Sequence, residues 1–432
     1  MGTTGYFHDV ASEKLPLPAL QVLQAEKLKD LLEKVTATNK FYKNKLRKHT
    51  LDTLQDLPFT TKKEIAGDQE KFPPFGSNLT QPLLDYCRFH QTSGSSGAPI
   101  RWLDTRENWD WLVRNWSFVF HAAGLKAKDR VCFAFSFGPF LGFWTAFDAA
   151  SRYGALCFAA GGLSTSARLR FMLDNGITAV CCTPTYALRM AEVAAQEKIN
   201  IALSPVRLLI VAGEPGGSVL QTREKIEQAW GARCIDHYGM TEIGPACFEC
   251  EKVRGRLHVI ESEYIAECID PETTEKVADG EVGELVLTTL GRADSPLIRY
   301  RTGDLVRMKT HATPCACGRS FASFDGGILG RSDDMLVIRG VNIFPSALEE
   351  AIRRVASPAE FRVETQTVRA MLEVKIVVEP HAGDPADSQT AESIANELQK
   401  IFGIRMTVEL VAPNTLPRFE MKSRRWIKVK DE

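Results

Sequence analysis

The sequence lacks an unbroken apolar run of about 20 residues, the length a membrane-spanning helix needs. One charge-free stretch, VCFAFSFGPFLGFWTAF at 131–147, lies between Arg130 and Asp148 and is interrupted by Gly138–Pro139. It reads as a buried strand, a turn and a core helix. An excess of either charge is also missing. The 53 Lys and Arg against 54 Asp and Glu leave a formal net charge of −1, which excludes a polyanion such as nucleic acid, or an anionic membrane surface, as the expected partner. The opening MGTTGYFHDVASEKL has no basic segment followed by an apolar one, so no signal peptide is expected. Tyr6 and Phe7 stand where an N-myristoylation signal wants Ser or Thr. The 11 cysteines are odd in number and scattered, which does not fit a secreted disulfide framework. They point to a reducing compartment, the cytoplasm. No internal repeat or low-complexity tract is present.

What is there suits a soluble globular chain of two or three domains: 432 residues, 44% hydrophobic and 25% charged. The first 85 or so residues are helical in pattern, with LQAEKLKDLLEKV the clearest case. From about residue 130, strand-like and helix-like segments alternate. RVCFAFSF, GITAVCCTP, VRLLIVAGEP and ARCIDHYG read as strands. TYALRMAEVAAQE reads as a helix, and so does SVLQTREKIEQAW, with Ser218 as its cap. This alternation predicts an α/β fold with parallel βαβ sheets. GELVLTTL and DLVRMKT then predict a small antiparallel, barrel-like part. After residue 330 a smaller α+β pattern follows, with SALEEAIRRVA and TAESIANELQKIFG as helices and RAMLEVKIVVEP and MTVELVAP as strands. The expected division is a large domain over 1–330 and a small one over 331–432, with the boundary in LGRSDDMLV.

The segment QTSGSSGAPIRW, 91–102, concentrates Gly and Ser between Ser93 and Gly97. Glycine lets a backbone approach a ligand closely, and successive N–H groups in such a turn form an anion-binding nest. Thr92, Ser93, Ser95 and Ser96 add hydroxyl donors. Taken alone, the composition also suits a flexible linker. No Gly-Lys-Ser/Thr closes the loop, so it is not a Walker loop and supplies no lysine of its own; a lysine must come from elsewhere.

Downstream, in order, come DHYGMTE (236–242), YRTGDL (300–305), GRSDDMLVIRGVNIFPSALEE (330–350) and LPRFEMKSRRW (416–426). The ordered set, from about residue 85 to the end, closely resembles the adenylate-forming enzymes. GRSDDMLVIRGVNIFP, GELVLTTL and CACGRS are similar to their phenylacetate–coenzyme A ligase branch. The resemblance implies that Ser93, Gly94, Ser95, Ser96 and Gly97 wrap the β- and γ-phosphates of ATP. It places Ala212, Gly213, Glu214 and Pro215 near the adenine and the acyl group. In His237, Tyr238, Gly239 and Met240, Tyr238 would stack on adenine. Thr241 would bond phosphate oxygens and Glu242 would take magnesium, which favours one or two carboxylates plus phosphates. Asp304 would accept both ribose hydroxyls, beside Arg331. Asp333 would be the hinge of the small domain, and Gly340 would face the pantetheine of coenzyme A. Lys422 would stabilise charge on the α-phosphate in the first half-reaction. The family pattern has Gly before this lysine, whereas Met421 stands here. Apart from the resemblance, Lys422 is one cation of a basic tail that also holds Arg424, Arg425, Lys428 and Lys430.

Cys250, His258, Cys315 and Cys317, with Cys247 competing for the first place, offer a Cys₃His set for a structural zinc; buried reduced thiols are the plainer alternative. Similar residues hold zinc in some members of the branch. Phe135, Phe137 and Phe140 suggest a flat apolar acyl pocket shared with Gly213, Tyr238 and Gly239, while His121, Tyr153, Ser164 and Thr165 offer polar groups for a ring substituent. The implied reaction joins an aromatic carboxylic acid (phenylacetate, benzoate or 2-aminobenzoate) to coenzyme A with ATP and magnesium, releasing AMP and pyrophosphate. The branch also implies a homodimer. Three alternatives remain: transfer of the aryl group to a carrier-protein thiol, a zinc-bearing nucleotide-binding module without turnover, and phosphoryl transfer by a kinase, which the missing Walker lysine disfavours. If Lys422 has the implied role, Lys422→Ala lowers adenylate formation by about two orders of magnitude or more. It spares thioester formation from supplied acyl-adenylate, and equal loss of both half-reactions removes the assignment.

Overall fold

The computed structural model describes residues 9–92, 99–332, 336–338, 341–356, 358–368, 371–381, 388–419 and 425–429. Its helical beginning comprises α1 (Val10–Glu13), α2 (Leu17–Thr38), α3 (Lys40–Leu46) and α4 (Lys62–Lys71). In α2 the apolar spacing buries Leu20, Leu31, Leu32 and Val35 on one face. Helix α4 starts at a capping box, in which the Thr61 hydroxyl accepts from the Glu64 N–H and the Glu64 carboxylate accepts from the Thr61 N–H. A hairpin of β1 (Tyr86–Gln91) and β2 (Arg101–Thr105) leads into α5 (Arg106–Ala123), which is nearly all buried.

The expected alternation follows: β3 (Arg130–Phe133), α6 (Trp144–Tyr153), β4 (Leu156–Ala159), α7 (Thr165–Asp174), β5 (Ala179–Cys182), α8 (Pro184–Gln196), β6 (Leu208–Val211), α9 (Leu220–Trp230) and β7 (Arg233–Met240). Strands β4, β3, β5, β6 and β7 are parallel neighbours in that order. Two readings are corrected. Strand β3 ends at Phe133, halfway through the RVCFAFSF segment, because the chain bends there and places its next phenylalanines in a ring cluster. Ser218 does not cap α9: the cap position is Val219 without a side-chain bond, and the Ser218 hydroxyl is used by the Asp236 carboxylate.

Beyond β7 the sheet changes direction. The strands β8 (Gly244–Glu249), β9 (Arg256–Val259), β10 (Tyr264–Ile269), β11 (Val282–Thr289), β12 (Tyr300–Lys309) and β13 (Ser323–Arg331) are antiparallel to their partners. They extend the parallel strands into one 11-stranded mixed sheet. The residues from Leu336 form separate sheets: β14 (Leu336–Ile338) with β15 (Val341–Ile343), then α10 (Pro345–Val355), β16 (Glu360–Val368), β17 (Met371–Glu379), α11 (Ser388–Phe402), β18 (Thr407–Leu410) and β19 (Trp426–Lys428), with the last four strands ordered β18-β17-β16-β19. This part has its own core around Ile352, Val363, Ile376, Ile394 and Leu398. No helix among the described residues is long and apolar enough to cross a membrane.

Two buried ion pairs tie the elements together. Arg223 of α9 meets Glu249 at the end of β8, with side chains 2% and 1% exposed. Arg292 meets Asp104 of β2 through two bonds of 2.7 Å, with neither side chain exposed. Such pairs are satisfied only while both members are present, since a lone buried charge is costly.

Candidate active site

Strand β7 carries DHYGM to the carboxyl end of the parallel strands, where open α/β sheets bind ligands. ARCIDHYG was read as a strand; the strand is present and runs one residue further, to Met240, with the turn beginning at Thr241. Pairing with β8 then brings the backbones so close that a Cβ at Gly239 would lie 2.6 Å from the Gly244 carbonyl oxygen. Only glycine fits there.

Three predicted residues meet at this edge. The Tyr238 hydroxyl donates to Asp304 Oδ2 at 2.7 Å, and Arg331 Nη1 lies 3.3 Å from Asp304 Oδ1. Register explains the second contact, since Asp304 of β12 stands opposite Arg331 of β13. Gly303, at φ +75°, leaves room for the guanidinium: a Cβ there would lie 2.7 Å from Arg331 Nη2. Burial, reinforced by the Asp304 carboxylate, holds the Tyr238 phenol well above its ordinary range. The ring is therefore a neutral donor and a flat stacking face. At the end of β6, the Glu214 carboxylate accepts from the Thr185 N–H at 2.8 Å and faces the charge of Arg425. Ala212, Gly213 and Pro215 lie in the loop beside it.

Thr241 and Glu242 are held by a residue that the sequence reading missed. Arg292 Nη1 donates to the carbonyls of Thr241 (3.1 Å) and Glu242 (2.7 Å) while its other nitrogens grip Asp104. The Glu242 side chain is buried, with Lys62 Nζ at 3.5 Å. Asp236 was also missed. It accepts from the Ser218 hydroxyl and the His237 N–H, and burial raises its carboxyl to about 7. Burial lowers His237 to about 4, so its imidazole is neutral at pH 7. Its place directly before HYGMTE was the sign of Asp236 in the sequence.

The aromatic residues connect to this motif through ring contacts. Trp116 lies 4.3 Å from the His237 ring and 5.9 Å from Phe143; Phe143 lies 5.3 Å from Phe135. Phe137 packs on Trp144 at 4.8 Å and on Phe147 at 5.6 Å. The structure thus brings Phe135 and Phe137 into one cluster that reaches His237. Phe140 is not part of it and packs over Gly138 instead. Three of the four polar candidates for a ring substituent have their polar groups engaged elsewhere, and the fourth, Tyr153, packs its ring against the core. Thr165 accepts from the Tyr186 hydroxyl, His121 faces Glu13, Ser164 caps α7, and Tyr153 packs on Phe120. Ser93, Gly94, Ser95, Ser96, Gly97, Asp333, Gly340 and Lys422 lie outside the described residues.

A second centre forms where β8, β9 and the β12–β13 loop meet. The ligand atoms of Cys250, His258, Cys315 and Cys317 all lie within 4.8 Å of one another, and all four residues are buried. Cys317 Sγ is 3.4 Å from His258 Nε2, and Cys250 Sγ is 3.9 Å from Cys315 Sγ. His258 Nδ1 is 3.0 Å from the Phe321 carbonyl oxygen, which fixes the ring with Nε2 toward the sulfurs. The competitor Cys247 is not in this group; its carbonyl meets His237 Nδ1 at 2.7 Å. All eleven cysteines are free of disulfides.

Comparisons with known proteins give the family and the fold. Residues 18–292 match the family of AMP-binding enzymes, and residues 340–430 match the AMP-binding enzyme C-terminal domain. The chain is 30% identical to a phenylacetate-coenzyme A ligase of Thermus thermophilus, covering 94% of this chain and 96% of that one. It is 31% identical to one of Aromatoleum evansii, covering 94% and 93%. Among solved structures, a 2-hydroxyisobutyryl-CoA ligase in its postadenylation state, with 2-HIB-AMP, superposes with a TM-score of 0.90 at 29% identity, over 97% of this chain and 91% of that one. The same ligase in its thioesterification state, with CoA also bound, gives 0.72 at 29% identity over 98% and 92%.

The raised Asp236 carboxyl has a consequence for stability. The folded protein keeps a proton between about pH 4 and pH 7 that the unfolded chain releases, so this group's contribution is present at low pH and is lost as pH rises through about 7. Urea titrations should therefore show Asp236→Asn gaining on wild type between about pH 4 and pH 7, by roughly 2–4 kcal/mol. Parallel pH profiles for the two proteins would mean that Asp236 ionises as in the unfolded chain.

Proposed function

The chain belongs to the AMP-binding enzymes and is an ATP-dependent acyl-CoA ligase working through an acyl-adenylate; from that premise we propose that its acid is aromatic. The observation that carries the proposal is the unbroken series of ring contacts from His237, inside the DHYGMTE motif, through Trp116 and Phe143 to Phe135. Trp116 and Phe143 are buried, but Phe135 and Phe137 at the outer end of the series are half-buried, and aromatic faces there would favour a flat apolar guest through offset and edge-to-face contacts.

In this reading adenosine lies against Tyr238 and the 212–215 loop, and Asp304 accepts the ribose hydroxyls with Arg331 holding its other oxygen. A carboxylate oxygen of the acid attacks the α-phosphorus. The bond to the bridging oxygen breaks, and pyrophosphate leaves with the electron pair. Lys422, Thr241 and the 93–97 loop offset the charge on the phosphates, and Glu242 provides a carboxylate for magnesium. The coenzyme A sulfur then attacks the acyl carbon, its proton passes to solvent, and AMP departs. The large unit, 1–330, supplies the first site. The small unit, 331–432, turns about Asp333 to bring Gly340 toward the pantetheine. Eleven free cysteines suit a reducing cytoplasm. A homodimer is the assembly we favour.

The test is a product assay by mass spectrometry with Mg·ATP, coenzyme A and a panel of aryl, fatty, amino and hydroxy acids, 2-hydroxyisobutyrate included. AMP with an aryl thioester is expected. Preference for a small aliphatic acid would overturn the aromatic assignment. Adenylate without thioester would point to a carrier-protein thiol.

The second centre fits zinc. Tetrahedral zinc at about 2.3 Å from sulfur and 2.0 Å from nitrogen sets its ligand atoms roughly 3.4–3.8 Å apart, close to the 3.4 and 3.9 Å found between Cys317 and His258 and between Cys250 and Cys315. With four protein ligands the ion would be structural, holding the β12–β13 loop to β8 and β9. Elemental analysis of protein prepared without chelator should give about one zinc per chain. Cys315→Ser should lose the metal and much thermal stability; a ratio near zero in wild type would end the claim.

A further inference from the structure

The 93–97 loop contributes no cation to the phosphates that leave. A group that leaves with several negative charges needs fixed positive charge beside it. Two arginines near the DHYGMTE loop are committed. Arg292 is buried on Asp104 and two carbonyls, and Arg331 is paired with Asp304. Lys62 differs from both. It occupies the first position of α4, far from the motifs in sequence, yet its Nζ lies 3.5 Å from Glu242 Oε1. That distance is longer than an ordinary N–H···O bond, so the ammonium keeps donors for a ligand, and its side chain is 43% exposed against 5% for Glu242.

Its placement is rigid. Thr60, two residues earlier, is bridged to Tyr300 of β12: its N–H donates to the Arg299 carbonyl and its carbonyl accepts from the Arg301 N–H, both at 2.9 Å. The Thr60 hydroxyl also donates to the Ile298 carbonyl at 2.8 Å. The strand that carries Asp304 therefore also fixes the start of α4, and the capping box sets the direction in which Lys62 leaves it.

We propose that Lys62 binds the β- and γ-phosphates of ATP and stabilises them as pyrophosphate when the bond to the α-phosphorus breaks. The proposal rests on reading Glu242 as the carboxylate on the metal side of that phosphate chain: ammonium and carboxylate, side by side, would face the same leaving group. Lys62 belongs to the large unit, so its role differs from that of Lys422. It concerns the leaving group rather than the reacting phosphorus, and it persists when the small unit turns.

The experiment compares wild type with Lys62→Gln and Lys62→Arg in ATP–pyrophosphate exchange. Lys62→Gln should raise KM for ATP and for pyrophosphate by about tenfold or more, with partial recovery in Lys62→Arg. AMP binding, and thioester formation from supplied acyl-adenylate and coenzyme A, should stay within about twofold of wild type. Unchanged KM values would overturn the role. So would an equal loss in both half-reactions, which marks a displaced helix rather than a lost phosphate contact. If wild type adenylates no acid in the panel, the ligase reading fails separately, and calorimetry with pyrophosphate still decides on Lys62. A Kd about tenfold weaker in Lys62→Gln supports it, and equal Kd values remove it.

Discussion

Strand β7 pairs in parallel with β6 on one edge and antiparallel with β8 on the other, and the candidate site depends on that double pairing. The parallel edge delivers the strand's carboxyl end to the side where βαβ connections open. The antiparallel edge forces an immediate reversal, so Thr241 and Glu242 are turned back over the same opening. Gly239 is the point at which the two requirements meet, since any side chain there would strike the returning strand. The reversal also builds the second half of the site. Strands β12 and β13 join the sheet beyond β9, and their register sets Asp304 against Arg331, within reach of Tyr238.

Buried charge keeps this arrangement from relaxing. Arg292 occupies a place where a hydrophobic residue would pack, but no hydrophobic residue would hold two carbonyls of the DHYGMTE turn. Its pairing with Asp104 joins that turn to the β1–β2 hairpin, which ends next to the 93–97 loop in sequence. Arg223 does similar work under β7: Glu249, which it neutralises, also accepts the Asp236 N–H. Charges sealed from water in this way add little net stability while intact, but their geometry has few alternatives. That suits a site whose groups must meet phosphate oxygens within a few tenths of an ångström.

The motifs were legible in the sequence through their resemblance to a known family, and the structure brings Tyr238, Asp304 and Arg331 together. Tyr238 and Asp304 are 66 residues apart and were nonetheless read as one site. The alternation of strand and helix was legible for a local reason, periodicity. What escaped was set by partners distant in the chain. Lys62 is one of two adjacent lysines in KK, and nothing local separates it from Lys63. Arg292 gains its role from Asp104, 188 residues away. Ser218 looked like a helix cap because nothing in the sequence near it shows that Asp236 takes its hydroxyl. Phe140 looked equivalent to Phe135 and Phe137 until the bend after β3 sent it elsewhere. His258 with Cys250, Cys315 and Cys317 was the exception: a long-range cluster legible from residue type alone, because few other arrangements collect three thiols and an imidazole.

The contacts between the two parts of the chain are of a kind that can be exchanged. Thr222 of α9 donates to Glu349 of α10 at 3.1 Å, and Arg418 lies 3.4 Å from Glu192 of α8. The Ser346 hydroxyl donates to the Leu329 carbonyl. Each of these groups can return to water or find another charged partner, whereas the apolar cores of the two parts stay separate. Lys225 adds an opposing contribution. Its Nζ is buried without a hydrogen-bond partner among the described residues, and burial together with the nearby Arg353 lowers its pKa to about 8. An interface that contains a poorly satisfied ammonium is held less firmly than its other ion pairs suggest. The chain superposes much better on a relative's postadenylation state than on its thioesterification state. A polar, partly frustrated interface of this kind can exchange its contacts, whereas an apolar interface of equal area would hold the two parts together more firmly.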